Sequence, residues 1–197
     1  MSGVPSGPWP VVAICGGGVA DPQAELAASA LGAVVMRLGA ALLTGGRGGV
    51  MAAASRGARQ ARGEAAVPPV IALLPGADRA AANPWADLVL PTALGDARNA
   101  VLVTAAQVVL VVGGGPGTLS EVGLARKAGR PVVVVGGTGG VADRAADLLP
   151  GDPGLHIARD AAHAARLLEE LLTGLLPAGG AAASAVGQAP RPPQSSR

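Results

Sequence analysis

Three glycine-rich segments of the chain have the composition of loops that bind phosphate. They occupy residues 16–18, 45–49 and 113–118, and each follows a short apolar run. Glycine lets the backbone approach a ligand, and a helix that starts at such a loop directs unpaired N–H groups toward an anion. One such loop is equally well explained as a tight turn, whereas three favour a common site. The predicted phosphate-binding residues are Gly16, Gly17, Gly45, Gly46, Arg47, Gly48, Gly114, Gly115, Gly117 and Thr118.

The common nucleotide-binding motifs do not describe these loops. The GxxxxGK[ST] motif needs a lysine in the loop, and Lys127 is the only lysine in the chain. The GxGxxG motif does not follow the first apolar run. Thr44 ends the second run, where a dinucleotide-binding fold has an acid for the ribose. Binding of ATP or NAD through either motif is therefore not expected.

Two charged residues near the third glycine segment could act on a ligand. Glu121 follows that segment by one helical turn, so its carboxylate is expected to lean back toward the ligand. There it could stabilise a ribosyl oxocarbenium ion or orient water. Arg98 could bind phosphate or hold Glu121 in place. The alternatives are an acid that stabilises the helix dipole and a solvated arginine on a helix face.

Other reactive side chains have simpler explanations. Cys15 has no histidine in a recognisable partner motif, so it is expected to be a small buried hydrophobic residue. Arg56, Arg59 and Arg62 recur at helical spacing and are expected to form a solvated face. Two histidines and one cysteine do not supply a zinc site, and no metal ligands are predicted.

The elements that position these residues alternate along the chain. Apolar runs between Ala-rich helical stretches indicate a parallel sheet covered on both faces. We therefore predict an α/β fold, a Rossmann-like three-layer sandwich with a mainly parallel sheet, whose strand ends bring the glycine loops to one edge. The predicted strands are 11–15, 40–44, 69–74, 87–90, 108–112, 131–135 and 155–157, and the predicted helices are 22–37, 49–62, 95–106, 118–128, one from Val141, and 161–172.

The length of 197 residues suits one domain, predicted for residues 11–176. It would lie between a flexible N-terminus (1–10) and a Pro/Ala/Ser-rich, disordered tail (177–197).

Composition excludes several classes of function. The net charge is +2, from 15 basic and 13 acidic residues, and two of the arginines lie in the tail, so the body is neutral. A neutral body without Phe or Tyr argues against nucleic-acid binding. A single cysteine excludes a disulfide framework, and the N-terminus does not have the pattern of a signal peptide. Glycines interrupt the uncharged stretch 99–120, so it is not a membrane span. We predict a cytoplasmic protein.

Two motifs resemble those of a known family. Residues 114–121 match GGxGTxxE, and residues 44–51 contain GGxxG[LVI]M. In this order and spacing they resemble the LOG family, once labelled lysine decarboxylase-like. The resemblance runs from Val11 to Val135, and within the family the chain looks most like a bacterial branch similar to molybdenum-cofactor carrier proteins. In the enzymes of this family, the resemblance assigns catalytic roles to the positions of Arg98 and Glu121.

The resemblance implies two alternative functions. One is hydrolysis of the N-glycosidic bond of a nucleoside 5′-monophosphate, with no cofactor required. The other is non-enzymatic binding of a phosphorylated ligand, such as the molybdenum cofactor in a carrier. Asn99 stands where the enzymes usually have Lys, and Ser120 where many have Glu, which weakens the prediction of hydrolysis.

A homodimer or higher homo-oligomer is also expected. The stretches 97–106 and 26–36 are apolar on more than one face, and exposed apolar surface is a liability in water. LOG-family proteins are dimers with the ligand site near the interface. The alternative is that the closing helix covers both stretches within one chain.

Overall fold

A computed structural model describes residues 9–64 and 67–175 of the chain. The predicted tail (177–197) and the first eight residues of the predicted N-terminal segment lie outside these ranges. Among the helices within them, none is long and apolar enough to cross a bilayer.

The described residues form seven strands: β1 (Val11–Gly16), β2 (Ala41–Thr44), β3 (Val70–Leu74), β4 (Leu88–Pro91), β5 (Val108–Val112), β6 (Val132–Val135) and β7 (Leu155–Ala158). They make one sheet in the order β4-β3-β2-β1-β5-β6-β7. All six pairings between neighbours are parallel, so the sheet is parallel throughout. The predicted Rossmann-like α/β fold is confirmed.

Helices cover both faces of the sheet because successive strand residues point to opposite sides. The helices are α1 (Pro22–Arg37), α2 (Val50–Arg62), α3 (Arg98–Ala105), α4 (Pro116–Lys127), α5 (Gly140–Leu148) and α6 (Ala161–Leu175). In β1, Val12 and Ile14 pack against α1, α2 and α6, whereas Ala13 and Cys15 pack against α3, α4 and α5. The result is the predicted three-layer sandwich.

Two predicted helices differ from the observed ones near the glycine loops. The predicted helix 95–106 begins as a 3-10 turn, Gly95–Ala97, and becomes α3 only at Arg98. The predicted helix 118–128 already begins at Pro116, which occupies the first helical position because it has no N–H to lose there. Gly117 and Thr118 therefore lie in the first turn of α4 rather than in a loop.

The order of the strands places a crevice between β1 and β5. From β1 the chain adds β2, β3 and β4 to one side, then crosses to β5 on the other side of β1. In open parallel sheets, ligands bind outside the carboxyl ends of the strands at this reversal. The loops that leave the two strands are the first and third glycine segments.

The predicted solvated face of α2 is wrong for Arg62, whose side chain is only 5% exposed, whereas the Arg59 side chain is 39% exposed. Arg59 and Arg62 both form ion pairs with Asp87, and the Arg62 Nη1 to Asp87 Oδ2 distance is 2.6 Å. The same oxygen accepts the Val70 backbone N–H at 2.7 Å. The segment before β4 thus folds back onto α2, which spacing along one helix could not reveal.

Candidate functional site

A cavity of about 310 Å³ opens where β1 and β5 end. The glycine loop after β1 forms one wall, and the first turns of α3 and α4 form the others. The residues that line it are Gly16, Gly17, Gly18, Met51, Asp96, Arg98, Asn99, Gly115, Pro116, Gly117, Thr118 and Glu121.

The N-terminus of α4 faces this cavity without a side chain to cap it. Gly115 is the N-cap residue, and no side chain of the described residues accepts a hydrogen bond from this end of α4. The first turn of a helix leaves its N–H groups unpaired, and Pro116 contributes none. The amides of Gly117 and Thr118 are therefore available to an anion.

At other helix N-termini of this edge, some first-turn N–H groups already have partners. The carboxylate of Asp21 caps α1 by accepting the Ala24 N–H at 2.7 Å. In α2, Val50 donates its N–H to the Gly17 carbonyl at 3.1 Å, and in α5 Val141 donates to the Gly114 carbonyl at 2.9 Å. The first turn of α4 has no such partner among the described residues.

A buried ion pair lies beneath the cavity. Arg98 Nη1 is 3.3 Å from Glu121 Oε1, and the two residues are only 8% and 6% exposed. The Arg98 Nε is buried and has no partner among the described residues. Gly45 leaves room for the guanidinium, because a Cβ there would lie 2.5 Å from Arg98 Nη2. The predicted contact between Arg98 and Glu121 is therefore present.

Burial dominates the titration of this cluster. It raises the pKa of Glu121, although the charge of Arg98 and hydrogen bonds with Cys15 and Arg98 act in the opposite direction. Burial and the negative charge of Glu121 raise the pKa of the Cys15 thiol well above its ordinary value. Cys15 is thus an inert buried thiol, as expected from the sequence, that also contacts the site carboxyl.

The raised pKa of Glu121 predicts a characteristic pH dependence of stability. In the window between its unfolded and folded pKa values, the folded state binds a proton that the unfolded state has lost. The free energy of unfolding therefore falls as pH rises through this window. Urea titrations of wild type and Glu121→Gln from pH 4 to 7 should show this fall only in wild type, by up to about 1.4 kcal/mol per pH unit. Parallel curves would contradict it.

The two residues that differ from the enzyme pattern contact each other. Asn99 Nδ2 donates to Ser120 Oγ at 2.8 Å, and the Ser120 hydroxyl donates to the Gly117 carbonyl at 2.7 Å. This neutral pair fastens α3 to the first turn of α4. The side chain of Asn99 therefore shapes the cavity, a role that its position beside Arg98 could have suggested.

The structure brings seven of the twelve predicted site residues together at the cavity. They are Gly16, Gly17, Arg98, Gly115, Gly117, Thr118 and Glu121. Sequence reasoning gave no site role to Gly18, Met51 or Asp96. Asp96 is an exposed carboxylate two residues before Arg98, and this closeness to a predicted site residue could have identified it as part of the site.

The second glycine segment is placed differently from the other two. Gly45, Gly46, Arg47 and Gly48 do not line the cavity, and the first of them instead accommodates Arg98. Gly46 donates its N–H to Thr44 Oγ1 at 3.1 Å. Its φ of +74° is one that glycine adopts readily. The geometry gives this segment a structural role, and its direct contact with a ligand stays a prediction.

A match to a known protein family covers most of the chain. A model described as the SLOG cluster4 family matches residues 10–162, which span the sheet, all three glycine segments and the Arg98–Glu121 pair. The chain belongs to the SLOG cluster4 family. The predicted resemblance to the LOG-like superfamily is thereby confirmed.

Relatives of this SLOG cluster4 chain include two proteins linked to the molybdenum cofactor. The Moco carrier protein of Chlamydomonas reinhardtii is 35% identical, with 85% of this chain and 99% of that chain covered and a TM-score of 0.73. The molybdenum cofactor binding protein of Rippkaea orientalis is 32% identical, with 83% and 98% covered and the same TM-score. A protein of Archaeoglobus fulgidus is 34% identical over 132 residues, which are 64% of this chain and 83% of that protein.

A more distant likeness concerns the fold alone. DNA processing protein A of Helicobacter pylori is 18% identical to this SLOG cluster4 chain, with 82% and 80% covered and a TM-score of 0.60. Identity this low carries no argument about DNA. The two proteins share a Rossmann-like architecture.

Proposed function

We propose that this chain binds a phosphorylated pterin such as the molybdenum cofactor and carries it without chemical change. The observation that carries the proposal is the uncapped N-terminus of α4, which faces a glycine-lined cavity. The relatives named as Moco carrier and molybdenum cofactor binding proteins support the pterin as ligand.

The phosphate of the ligand fits the first turn of α4. The N–H groups of Gly117 and Thr118 would donate to its oxygens, and the helix dipole favours its negative charge. Arg98 lines the same cavity, and its buried Nε, which has no partner among the described residues, would be a further donor. No lysine is needed, since backbone amides and one guanidinium supply the donors.

Two contacts favour carriage over hydrolysis. The charge of Arg98 is engaged by Glu121, so neither group is free to act on a sugar in this arrangement. Asn99 and Ser120 form a neutral hydrogen bond at the positions where the enzymes carry charged residues. Few charged groups therefore remain to stabilise an oxocarbenium ion.

Hydrolysis of a nucleoside 5′-monophosphate is the second candidate function. It is favoured by one observation, the raised pKa of Glu121 at the cavity, since a buried carboxyl of this kind can act as a general acid. In this reaction Glu121 would protonate the leaving base and Arg98 would hold the phosphate or ribose.

One experiment separates the two functions. The purified protein is incubated with AMP, GMP and neopterin monophosphate, while calorimetry measures binding and chromatography measures free base and ribose 5-phosphate. Carriage predicts binding of the pterin phosphate and no base release above a protein-free control. Release of adenine or guanine that disappears in Glu121→Gln would establish hydrolysis instead. Absence of binding to all three compounds would contradict both functions.

We also propose that α3 forms a homodimer interface. Its outer face exposes Ala100, Val101, Thr104 and Ala105, on the side of the sheet opposite α6. The apolar stretch of α1 is covered within the chain only in part, because Leu31 and Val35 pack in the core that α6 completes, whereas Leu26 is 73% exposed. The side chains on the exposed α3 face are small, which would allow close pairing about a two-fold axis.

Light scattering at micromolar concentration tests the dimer. Wild type is expected at twice the chain mass of 18.9 kDa. Val101→Glu should shift the mass to that of one chain, because a charge would be buried at the centre of the interface. Leu148→Glu, which alters an exposed leucine on α5, should leave the dimer intact. A wild-type mass near 19 kDa would refute the dimer.

A further inference from the structure

A second cavity, of about 220 Å³, lies on the other side of the glycine wall. It is bounded by the loop between β1 and α1, which contributes Val19 and Asp21, and by the loop before α5, which contributes Gly139. Gly17 and Gly115 line both cavities. Several residues of the second cavity belong neither to the family motifs nor to the proposed phosphate site.

The sizes of the two cavities allow one ligand to extend through both. Sites for small molecules and cofactors commonly measure about 300–1,000 Å³. The first cavity is at the lower end of this range, and the second falls below it. A pterin or nucleotide with its phosphate at α4 therefore gains most contact if its ring continues into the second cavity.

The wall between the cavities is low. A Cβ at Gly115 would meet no atom within 4 Å, so the space above this residue is open. A Cβ at Gly17 would lie 2.6 Å from the Val19 carbonyl oxygen and 3.9 Å from the Cα of Gly114, so this part of the wall consists of backbone alone. A ligand can thus pass over the wall without displacing a side chain.

The second cavity is not a site for a second anion. Asp21 places a carboxylate at its edge, and this charge would repel phosphate. The first N–H groups of α5 are engaged, since Val141 and Ala142 donate to the carbonyls of Gly114 and Gly113 at 2.9 and 3.1 Å. The charged group that lines this cavity is therefore a hydrogen-bond acceptor, the carboxylate of Asp21.

Asp21 retains an acceptor oxygen for a ligand. Its Oδ1 accepts the Ala24 N–H, and within the described part of the chain its Oδ2 has no hydrogen-bond partner. Val19 lies two positions before Asp21 in the same loop, and it is 93% exposed. An apolar face next to a carboxylate suits a flat ring that carries N–H donors on one edge.

We propose that the second cavity binds a heterocycle with a 2-amino-4-oxopyrimidine edge, shared by pterins and guanine, and that Asp21 selects this edge. Its ring N–H and amino group would donate to the carboxylate, while the ring packs on Val19. This inference rests on the proposed function, because it takes the phosphate at α4 as the other end of the ligand. It adds the position of the ring and the residue that determines specificity.

The test uses ligands that differ only at the ring. GMP and neopterin monophosphate carry the proposed edge, IMP lacks the amino group, and ribose 5-phosphate lacks the ring. Wild type is expected to bind the first two more tightly than IMP, and ribose 5-phosphate most weakly. The ratio between GMP and neopterin monophosphate distinguishes a nucleotide from a pterin as the preferred source of the edge.

The decisive variant is Asp21→Asn. Asparagine caps a helix as well as aspartate, so the variant should unfold at the wild-type temperature. Its affinity for GMP and neopterin monophosphate should fall about ten- to hundred-fold, because a hydrogen bond to a charged acceptor is lost. Its affinity for ribose 5-phosphate should not change. Val19→Ser should likewise weaken only the ligands that have a ring.

Asp78→Asn is the matched control, because Asp78 also caps a helical turn, through the Ala80 N–H at 2.8 Å, and does not line either cavity. It should bind every ligand as wild type does. Equal binding of GMP by wild type and Asp21→Asn would overturn the inference and leave the phosphate site intact. An equal loss for GMP and ribose 5-phosphate would also overturn it. Failure of wild type to bind any of the four compounds would refute the proposed function together with the inference.

Discussion

Replacement of Gly117 by aspartate should abolish binding of phosphorylated ligands while the protein stays folded. The new carboxylate would stand in the first turn of α4, where the backbone N–H groups are expected to hold the phosphate. Repulsion and lost space together predict an affinity at least about a hundred-fold lower, as expected when like charges meet at short distance. The fold should tolerate the change, because a Cβ at Gly117 would meet no atom within 4 Å.

Gly123→Asp is the matched control for this variant. Gly123 lies in the same helix, and a Cβ there also meets no atom within 4 Å. It lies outside the residues that line the cavity. Calorimetry with GMP and neopterin monophosphate should therefore give wild-type affinity for Gly123→Asp and no detectable binding for Gly117→Asp. Equal affinities of the two variants would show that α4 does not hold the phosphate.

The sequence was sufficient to predict the strands and helices and the edge of the sheet at which the glycine loops meet. Apolar runs such as 108–112 are short, β-branched and bounded by glycine, so their period and length identify buried strands. Once a parallel sheet follows, the loops after β1 and β5 must open on the same edge. The shared location of Gly17, Gly117 and Glu121 follows from this topology.

The roles of individual glycines could not be predicted from their type. The segment 45–49 is rich in glycine like the other two, yet Gly46 is fixed by Thr44 and by the 2.8 Å hydrogen bond from the Asn83 N–H to its carbonyl. Asn83 is 37 residues away along the chain. Contacts of this range depend on the path of a long loop, which local composition does not encode.

The same limit applies to charged residues. Arg59 and Arg62 have the spacing of a solvated face, and only the folded chain brings Asp87 to them. Arg98 and Glu121 were paired correctly because a motif relates their positions. The contact of Glu121 with Cys15, in contrast, depends on the pleat of β1, which directs the Cys15 side chain to the α4 face.

The packing of α1 against α2 depends on two glycines, one in each helix, that lie against the backbone of the other helix. A Cβ at Gly32 would lie 2.0 Å from the Ala54 carbonyl oxygen, and a Cβ at Gly57 would lie 2.0 Å from the Ser29 carbonyl oxygen. Both obstructing atoms belong to helix backbones, which cannot move aside alone. The helices therefore approach as closely as they do only because these two positions have no side chain.

Gly57→Ala should accordingly lower the free energy of unfolding by about 3 kcal/mol, which is the upper end of the usual cost of overpacking a core. Alanine favours the helix by up to about 1 kcal/mol, so the steric cost has to exceed this gain. Gly123→Ala supplies the comparison, because its Cβ meets open space and only the helical gain remains. Urea unfolding should show Gly57→Ala well below wild type and Gly123→Ala slightly above it. Equal stabilisation of both variants would contradict this prediction. It would mean that α1 and α2 can move apart to accommodate a methyl group at Gly57, so that their close contact at Gly32 and Gly57 is not required.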